Sequence, residues 1–294
     1  MGNHHHHNNT SGKNLKIAFF INLGFTIFEI IGGIYTNSVA IMSDAIHDLG
    51  DSLSLGTSWY LEIRSKKKSD KKYSFGYARF SLLGALLNSV VLIVGSIFII
   101  NEAITRIIHP ESSDATGMVF FAIVGIAVNG YAAWKLSTGK TMNEKVVSWH
   151  LLEDVLGWVA VLIVAIILYF KDIPYLDPAL SLAITAYVLW NVIKRLRETL
   201  FLFLQGIPKD INYTQIEERI LGVKHVGSMH HTHIWSLEGE HHVFTAHIKI
   251  NDAINLDDLV KLKCEVKDIL KEYPFRHYTI ETEPNNESCD LTEF

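Results

Sequence analysis

Two stretches of this chain pair a histidine with an aspartate four residues further on: His47 with Asp51, and His150 with Asp154. On a helix that spacing sets both side chains one turn apart on a single face. Two such helices packed together would bring two imidazoles and two carboxylates to one point. Donors of mixed nitrogen and oxygen type suit tetrahedral Zn2+ at bond lengths of about 2.0–2.2 Å. Mg2+ and Ca2+ favour oxygen ligands alone. Asp44 lies three residues before His47, near the same face, and is open as a further ligand, a proton acceptor or a partner that orients a ligand. Asp48 points about 100° away from His47 at 3.6 residues per turn and ranks lower. Glu153 is offset from Asp154 in a similar way.

The elements that would position these groups are long and apolar. Residues 14–35, 39–63, 80–108, 115–136, 146–170 and 178–196 form runs, each about twenty residues or more, enough to cross ~30 Å of hydrocarbon at 1.5 Å per residue. A soluble helix would show a polar stripe, but residues 82–100 are broken only by Asn88, Ser89 and Ser96 as polar side chains. Six transmembrane helices are expected. Both His-x-x-x-Asp pairs then lie inside the membrane, where ionisable groups are costly and mark a functional site. Asn22, Asn88, Glu102 and Asn129 read as interhelical hydrogen bonds. Glu29 reads the same way, with a place in a water-filled pathway as the alternative.

Composition and charge agree with that reading. The chain has 294 residues, 49% hydrophobic and 19% charged, below the roughly 25% charged of an average soluble protein. A net charge of −5 leaves no basic footprint for nucleic acid. Two cysteines exclude a disulfide framework and an all-thiolate zinc cage. Lysine and arginine cluster before the first run, between the second and third (Arg64, Lys66, Lys67, Lys68, Lys71, Lys72), between the fourth and fifth (Lys135, Lys140, Lys145), and after the sixth (Lys194, Arg195, Arg197, Lys209). The opposite loops are nearly free of them. By the positive-inside rule both termini are expected to be cytoplasmic. No cleavable signal peptide pattern is present.

After Pro208 the pattern becomes that of a soluble domain. Residues 211–221 and 256–273 have helical spacing. Residues 227–237, 243–250 and 277–283 read as strands, with Glu238-Gly239-Glu240 as a hairpin turn. The order α-β-β-α-β suggests a small α+β domain. The expected organisation is a polar, His-containing tail over 1–12, a six-helix membrane domain over 13–205, a cytoplasmic α+β domain over 206–284 and a C-terminal tail over 285–294. His4 to His7 could be a tag fragment or a native metal-collecting segment.

Taken together, residues 43–51 (Ser-Asp-Ala-Ile-His-Asp-Leu-Gly-Asp), 73–79 (Tyr-Ser-Phe-Gly-Tyr-Ala-Arg), 150–154 (His-Leu-Leu-Glu-Asp), Asp177-Pro178 and His231-Thr232-His233-Ile234-Trp235 resemble the cation diffusion facilitator family of zinc and divalent-metal transporters. The resemblance runs from about Lys13 to Glu283. It implies six transmembrane helices followed by a metallochaperone-like cytoplasmic domain, and a homodimer that exchanges cytosolic divalent metal for protons. It implies a transport site at His47, Asp51, His150 and Asp154, in agreement with the spacing argument. The two-His, two-Asp pattern resembles zinc-transporting members, and selectivity among Zn2+, Cd2+, Co2+ and Fe2+ is left open. Tyr73 and Tyr77 stand where some relatives carry loop histidines that bind a further metal, so that site is not expected here. In the tail, the resemblance implies regulatory metal binding at His230, His247, His277 and Glu283, with Glu281 a near alternative. The family's Cys-x-x-Cys tail pair is absent, with Cys289 alone in that region.

The function expected is a proton-coupled Zn2+ exporter in a bacterial inner membrane, not an enzyme, with Zn2+ as substrate and regulatory ligand and no organic cofactor. Its partners would be divalent metal, protons, the lipid bilayer and a second copy of the chain. Zn2+ and protons would compete for His47 and His150, since imidazole titrates near pH ~6.5. An intramembrane metal-dependent hydrolase is one alternative, but no glutamate is placed as in His-Glu-x-x-His to act as general base. A membrane-anchored metal sensor is the other, and it would leave the intramembrane carboxylates without a purpose.

Overall fold

In the computed structural model, residues 8–65, 69–137, 142–251 and 254–284, with 287 and 289, are described. His4 to His7, Lys66, Lys67, Lys68 and Lys140 lie outside them. The long helices are α1 (Asn8–Thr36), α2 (Val39–Ser65), α3 (Phe80–Ile108), α4 (Ala115–Ser137), α5 (Met142–Phe170) and α6 (Leu176–Phe203). After them come α7 (Tyr213–Leu221), β1 (Val226–Ser236), β2 (His242–Ile250), α8 (Leu256–Lys271) and β3 (Phe275–Pro284). The chain divides into two compact units. Residues 69–83 group with those from 197 onward, and the rest of the helices form the other unit.

Five of the long helices are apolar and long enough to cross a membrane: Lys16–Thr36, Phe80–Ile108, Ala115–Lys135, Ser148–Phe170 and Leu176–Phe203. The sixth, α2, has 27 residues. It has the length, but Asp44, Asp48 and Asp51 interrupt its hydropathy. Three helices overrun the hydrophobic windows read from sequence. α1 starts at Asn8, α5 at Met142, and α6 ends at Phe203. Hydrophobicity marks the hydrocarbon core, whereas a helix continues into polar residues until something stops it. Their outward faces are apolar too, as at Phe98 and Trp190, which are exposed within the chain and suited to lipid.

The bundle packs around Ile41, Met118, Phe121, Trp158, Val161 and Ala165. Gly125 allows this closeness: a Cβ there would fall 2.3 Å from Trp158 Cδ2. Small residues at helix contacts serve the same end throughout membrane proteins. α1 packs along α2 and α4 along α5, while α2 and α5 touch sparsely. The start of α2 is held by a carboxylate from another helix. Ser38 Oγ donates to Asp177 Oδ1 at 2.5 Å. Val39 N donates to Asp177 Oδ2 at 2.7 Å. Asp177 sits in the first turn of α6 and is buried, so it satisfies backbone donors that have no partner inside α2.

In the second unit the sheet order is β1-β2-β3. β1 and β2 are antiparallel, β2 and β3 parallel. Parallel neighbours need a crossover, and α8 supplies it. Asn212 caps α7 through the Gln215 amide, and Asn255 caps α8 through the Asp258 amide at 2.8 Å. Ile216, Ile220, Phe244, Ile248, Val266 and Leu270 close the core. The α-β-β-α-β order expected from the sequence is the order found.

Candidate metal centres

α2 and α5 each present a His-x-x-x-Asp pair to the other. His47 Nε2 lies 3.8 Å from Asp51 Oδ2 on its own helix and 3.9 Å from Asp154 Oδ1 on α5. His150 Nε2 stands 2.6 Å from Asp51 Oδ2. The two imidazole centroids are 5.7 Å apart. Donor atoms of His47, Asp51 and His150 all lie within 4.8 Å of one another, and Asp154 adjoins them through His47. In a tetrahedral zinc site, donors at about 2.1 Å from the ion are about 3.4 Å from each other. The two contacts of His47 are close to that. His150 and Asp51 are nearer, at hydrogen-bond distance, and would part by about 0.8 Å to share an ion in that geometry.

Asp44 is not in this group. It is buried, and its Oδ1 lies 3.8 Å from where a Cβ on Gly157 of α5 would sit. Asp48 is buried as well. Of the other intramembrane polar residues, Asn22 Nδ2 donates to Asp48 O at 3.0 Å and to Ser52 Oγ at 2.9 Å. Asn88 Nδ2 donates to Ser54 Oγ at 2.7 Å, and Glu102 pairs with Arg106 on its own helix at 2.8 Å. Asn22 and Asn88 make the interhelical bonds expected of them, whereas Glu102 bonds within α3. Glu29 and Asn129 differ: both carboxyl oxygens of Glu29 and Nδ2 of Asn129 are buried without a hydrogen-bond partner among the described residues.

The cytoplasmic domain has its own cluster. His230 on β1 pairs across the sheet with His247 on β2. Glu283 on β3 reaches both: Oε1 is 2.6 Å from His247 Nδ1, and Oε2 is 3.1 Å from His230 Nε2. Burial alone would raise the Glu283 pKa. The hydrogen bond from His247 and the charges of His230 and His247 outweigh it and hold the carboxyl below its ordinary value. His230 Nε2 and Glu283 Oε2 are close, yet neither makes a hydrogen bond of acceptable geometry. Two buried polar atoms this close without a hydrogen bond suit ligands of a common ion.

Cys289 joins this group, its Sγ 3.7 Å from His247 Nδ1. His230, His247, Glu283 and Cys289 all offer donor atoms within 4.8 Å of one another. His231 leans in as well, its ring 5.4 Å from that of His230 and 5.4 Å from that of His247. The pairing of β1 with β2 slips between His230 and His233, and His231 has φ of +46°. A bulge with a left-handed residue turns two successive histidines to one side, which regular alternation forbids.

His277 stands apart from this cluster. It pairs in register with Val243, four residues before His247 on β2, or about 13 Å along the strand. Its ring packs on Phe75, centroids 5.5 Å apart. Glu281 lies opposite His247 in register, with its Oε2 3.5 Å from His247 Nε2. Two members of the clusters were not read from the sequence. Cys289 lacked a Cys-x-x-Cys partner, although it follows Pro284, which ends β3. His231 depends on the bulge, for which the sequence offers no distinct signal.

Residues 15–204 match the cation efflux transmembrane domain, and residues 208–285 match the cation efflux protein cytoplasmic domain. Among similar proteins, a cadmium, cobalt and zinc/H(+)-K(+) antiporter of Bacillus velezensis is 32% identical over 294 residues, 99% of this chain and 94% of the relative. The metal cation efflux system protein CzcD of Cupriavidus metallidurans is 33% identical over 92% of this chain and 86% of its own length. The zinc transporter ZitB of Pectobacterium atrosepticum is 31% identical over 98% and 90%. The family and these relatives are transporters, not enzymes. Through both of its domains, the chain belongs to the cation efflux family, the cation diffusion facilitators, which carry divalent metal ions across membranes.

Proposed function

We propose that this multi-pass membrane protein exports Zn2+ from the cytoplasm in exchange for protons, with Cd2+ and Co2+ as further substrates. The observation that carries this reading is the meeting of His47 and Asp51 on α2 with His150 and Asp154 on α5. Two imidazoles and two carboxylates favour zinc and its borderline-soft neighbours over hard ions. The relatives named above as zinc and cadmium, cobalt and zinc antiporters support the same cargo. Neither the sensor nor the hydrolase alternative draws support from the family.

The cycle follows from competition. Neutral imidazole and ionised carboxylate bind metal, and each loses that capacity on gaining a proton. Metal therefore loads from the less acidic cytoplasm. Protons arriving from the far side protonate the same donors and favour release. The Lys and Arg clusters support a topology with both termini on the cytoplasmic side of a bacterial plasma membrane. His230, His247 and Glu283, joined by Cys289, would hold a regulatory metal, and a second copy of the chain would complete a homodimer through the cytoplasmic domain.

The test is Zn2+ flux into proteoliposomes under an imposed pH gradient. Gradient-driven flux in wild type, lost in both Asp51→Ala and His150→Ala, is expected. Flux indifferent to the gradient, or surviving both substitutions, would overturn the mechanism or the site respectively.

A further inference from the structure

The turn between β1 and β2 gathers donors that neither centre uses. Donor atoms of Glu238, Glu240 and His241 all lie within 4.8 Å of one another. Glu238 pairs through Oε1 with His241 Nδ1. Its other oxygen, Oε2, is buried and has no hydrogen-bond partner among the described residues. The Glu238 side chain is 15% exposed, and a carboxylate oxygen withdrawn from water without a partner is costly unless a cation meets it. Among the described residues, the lysines and arginines of this unit pair with Glu198, Glu272, Asp258 and Asp268, not with Glu238 or Glu240. The backbone fixes the spacing of the three side chains. Leu237 N donates to His241 O at 2.8 Å. Gly239 N donates to Ser236 Oγ at 2.7 Å, and that hydroxyl donates to His241 O at 3.2 Å. Gly239 has φ of +113°, a conformation open to glycine.

We propose that Glu238, Glu240 and His241 form a second cytoplasmic metal site, for Zn2+ and its borderline-soft neighbours, set against the end of α6. Two carboxylates and one imidazole give three protein ligands, with water in the fourth position. The nitrogen donor favours zinc over Mg2+ and Ca2+. Donors around a tetrahedral ion stand about 3.4 Å apart, so these would close by no more than about 1.4 Å. Glu240 and His241 are exposed and free to make that adjustment. The site is separate from the one at His230, His247, Glu283 and Cys289. His247 is five residues of strand from His242, about 16 Å, too far for one ion to serve both. It also needs nothing from the membrane ligands. The turn rests on α6: a Cβ on Gly239 would lie 3.7 Å from Leu202 Cδ1, in the last turn of that helix. Just beyond α6, Asp210 pairs at 3.0 Å with His242, the buried residue that follows the turn. Metal held here would fasten the turn on which Leu202 packs.

Hydrogen–deuterium exchange of the full-length protein in nanodiscs tests this, with Zn2+ alone as the probe. Zn2+ at about ten times its dissociation constant should slow exchange of the Leu237 and Gly239 amides by about tenfold, because the ion binds the closed turn and not the open one. Glu238→Gln combined with Glu240→Gln keeps the side-chain shapes and removes both charges. It should abolish that protection, and equilibrium dialysis should find one Zn2+ fewer per chain. His241→Asn should do the same, and it decides the matter if the double variant fails to fold. Glu283→Ala strikes the other cytoplasmic cluster and should leave protection of the turn in place. Absence of Zn2+-dependent protection in wild type, its persistence in the double variant or in His241→Asn, or its loss in Glu283→Ala would overturn the proposal. Because no arm of the test reads transport, its failure leaves the export reading untouched.

Discussion

His47 and Asp51 stand one turn apart on α2, and the helix itself sets their spacing, as it does for His150 and Asp154 on α5. His230, His247 and Glu283 come instead from three different strands, and Cys289 from beyond the last of them. The first centre needs only that two helices meet. The second needs a particular strand order, a particular register and a bulge that turns His230 and His231 together. A site made of local pairs survives changes elsewhere in the chain, whereas a site made of distant pairs depends on the whole domain. The comparison also separates donor chemistry: nitrogen and oxygen in the membrane, with sulfur added in the cytoplasmic domain.

The largest expected effect is in the membrane. Asp51 contacts both histidines, so Asp51→Ala should lower Zn2+ flux by about 100-fold while circular dichroism shows the helices intact. If flux falls only as far as it does for Glu283→Ala, the division into a transport centre and an accessory one fails. In the cytoplasmic domain, Cys289→Ser should weaken metal binding by about tenfold, and more for Cd2+ than for Zn2+, because the softer ion prefers sulfur. Calorimetric titration of the full-length protein checks this, and equal losses for both ions would remove sulfur from the site. Asp177→Ala takes away the cap of α2 and should destabilise the protein by about 1–2 kcal/mol, read as a lowered Tm. Flux should fall with it, because the capped helix carries His47 and Asp51, two of the proposed transport ligands.

His277→Ala sharpens the comparison from the other side. With His277 packed on Phe75 rather than on the cluster, cytoplasmic metal affinity should stay within about twofold of wild type. The smallest effect belongs to a pair that is part of neither centre. The Arg219 guanidinium grips Glu272 with two hydrogen bonds of 2.7 Å and holds its carboxyl below the ordinary value. A carboxyl so lowered adds stability above the unfolded-state pKa and loses it as pH falls through the folded value. Glu272→Gln should therefore flatten slightly the acid limb of a Tm-versus-pH curve and leave metal binding untouched, since both groups are solvated and the pair is weak.

Legibility followed the same division. The meeting of the two membrane His-x-x-x-Asp pairs could be read because hydrophobic length and i, i+4 spacing are both local properties. The order of elements in the soluble domain was legible for the same reason, through alternation and helical periodicity. Helix ends were not, since α1 and α6 run on through residues that hydropathy scores as polar. His277 and Glu283 share a strand face by alternation, yet six residues of strand separate them, and only the pairing of β3 with β2 shows that His277 falls short. Glu29 read as a packing residue, with a water-filled pathway as the alternative, because an absent partner leaves no mark in a sequence.

The Asp177 clasp gives α2 a fixed point at its start, while Asn22 and Asn88 tie it to α1 and α3 further along. His47 is eight residues from Val39 and Asp51 twelve, about 12 and 18 Å along the axis. With that end as a pivot, a tilt of about 5° would carry His47 about 1 Å and Asp51 about 1.6 Å. That is ample to part Asp51 from His150 and let an ion take the place of their shared proton. The leverage grows with distance from the clasp, so the residue farther from it, Asp51, is also the one that contacts both histidines.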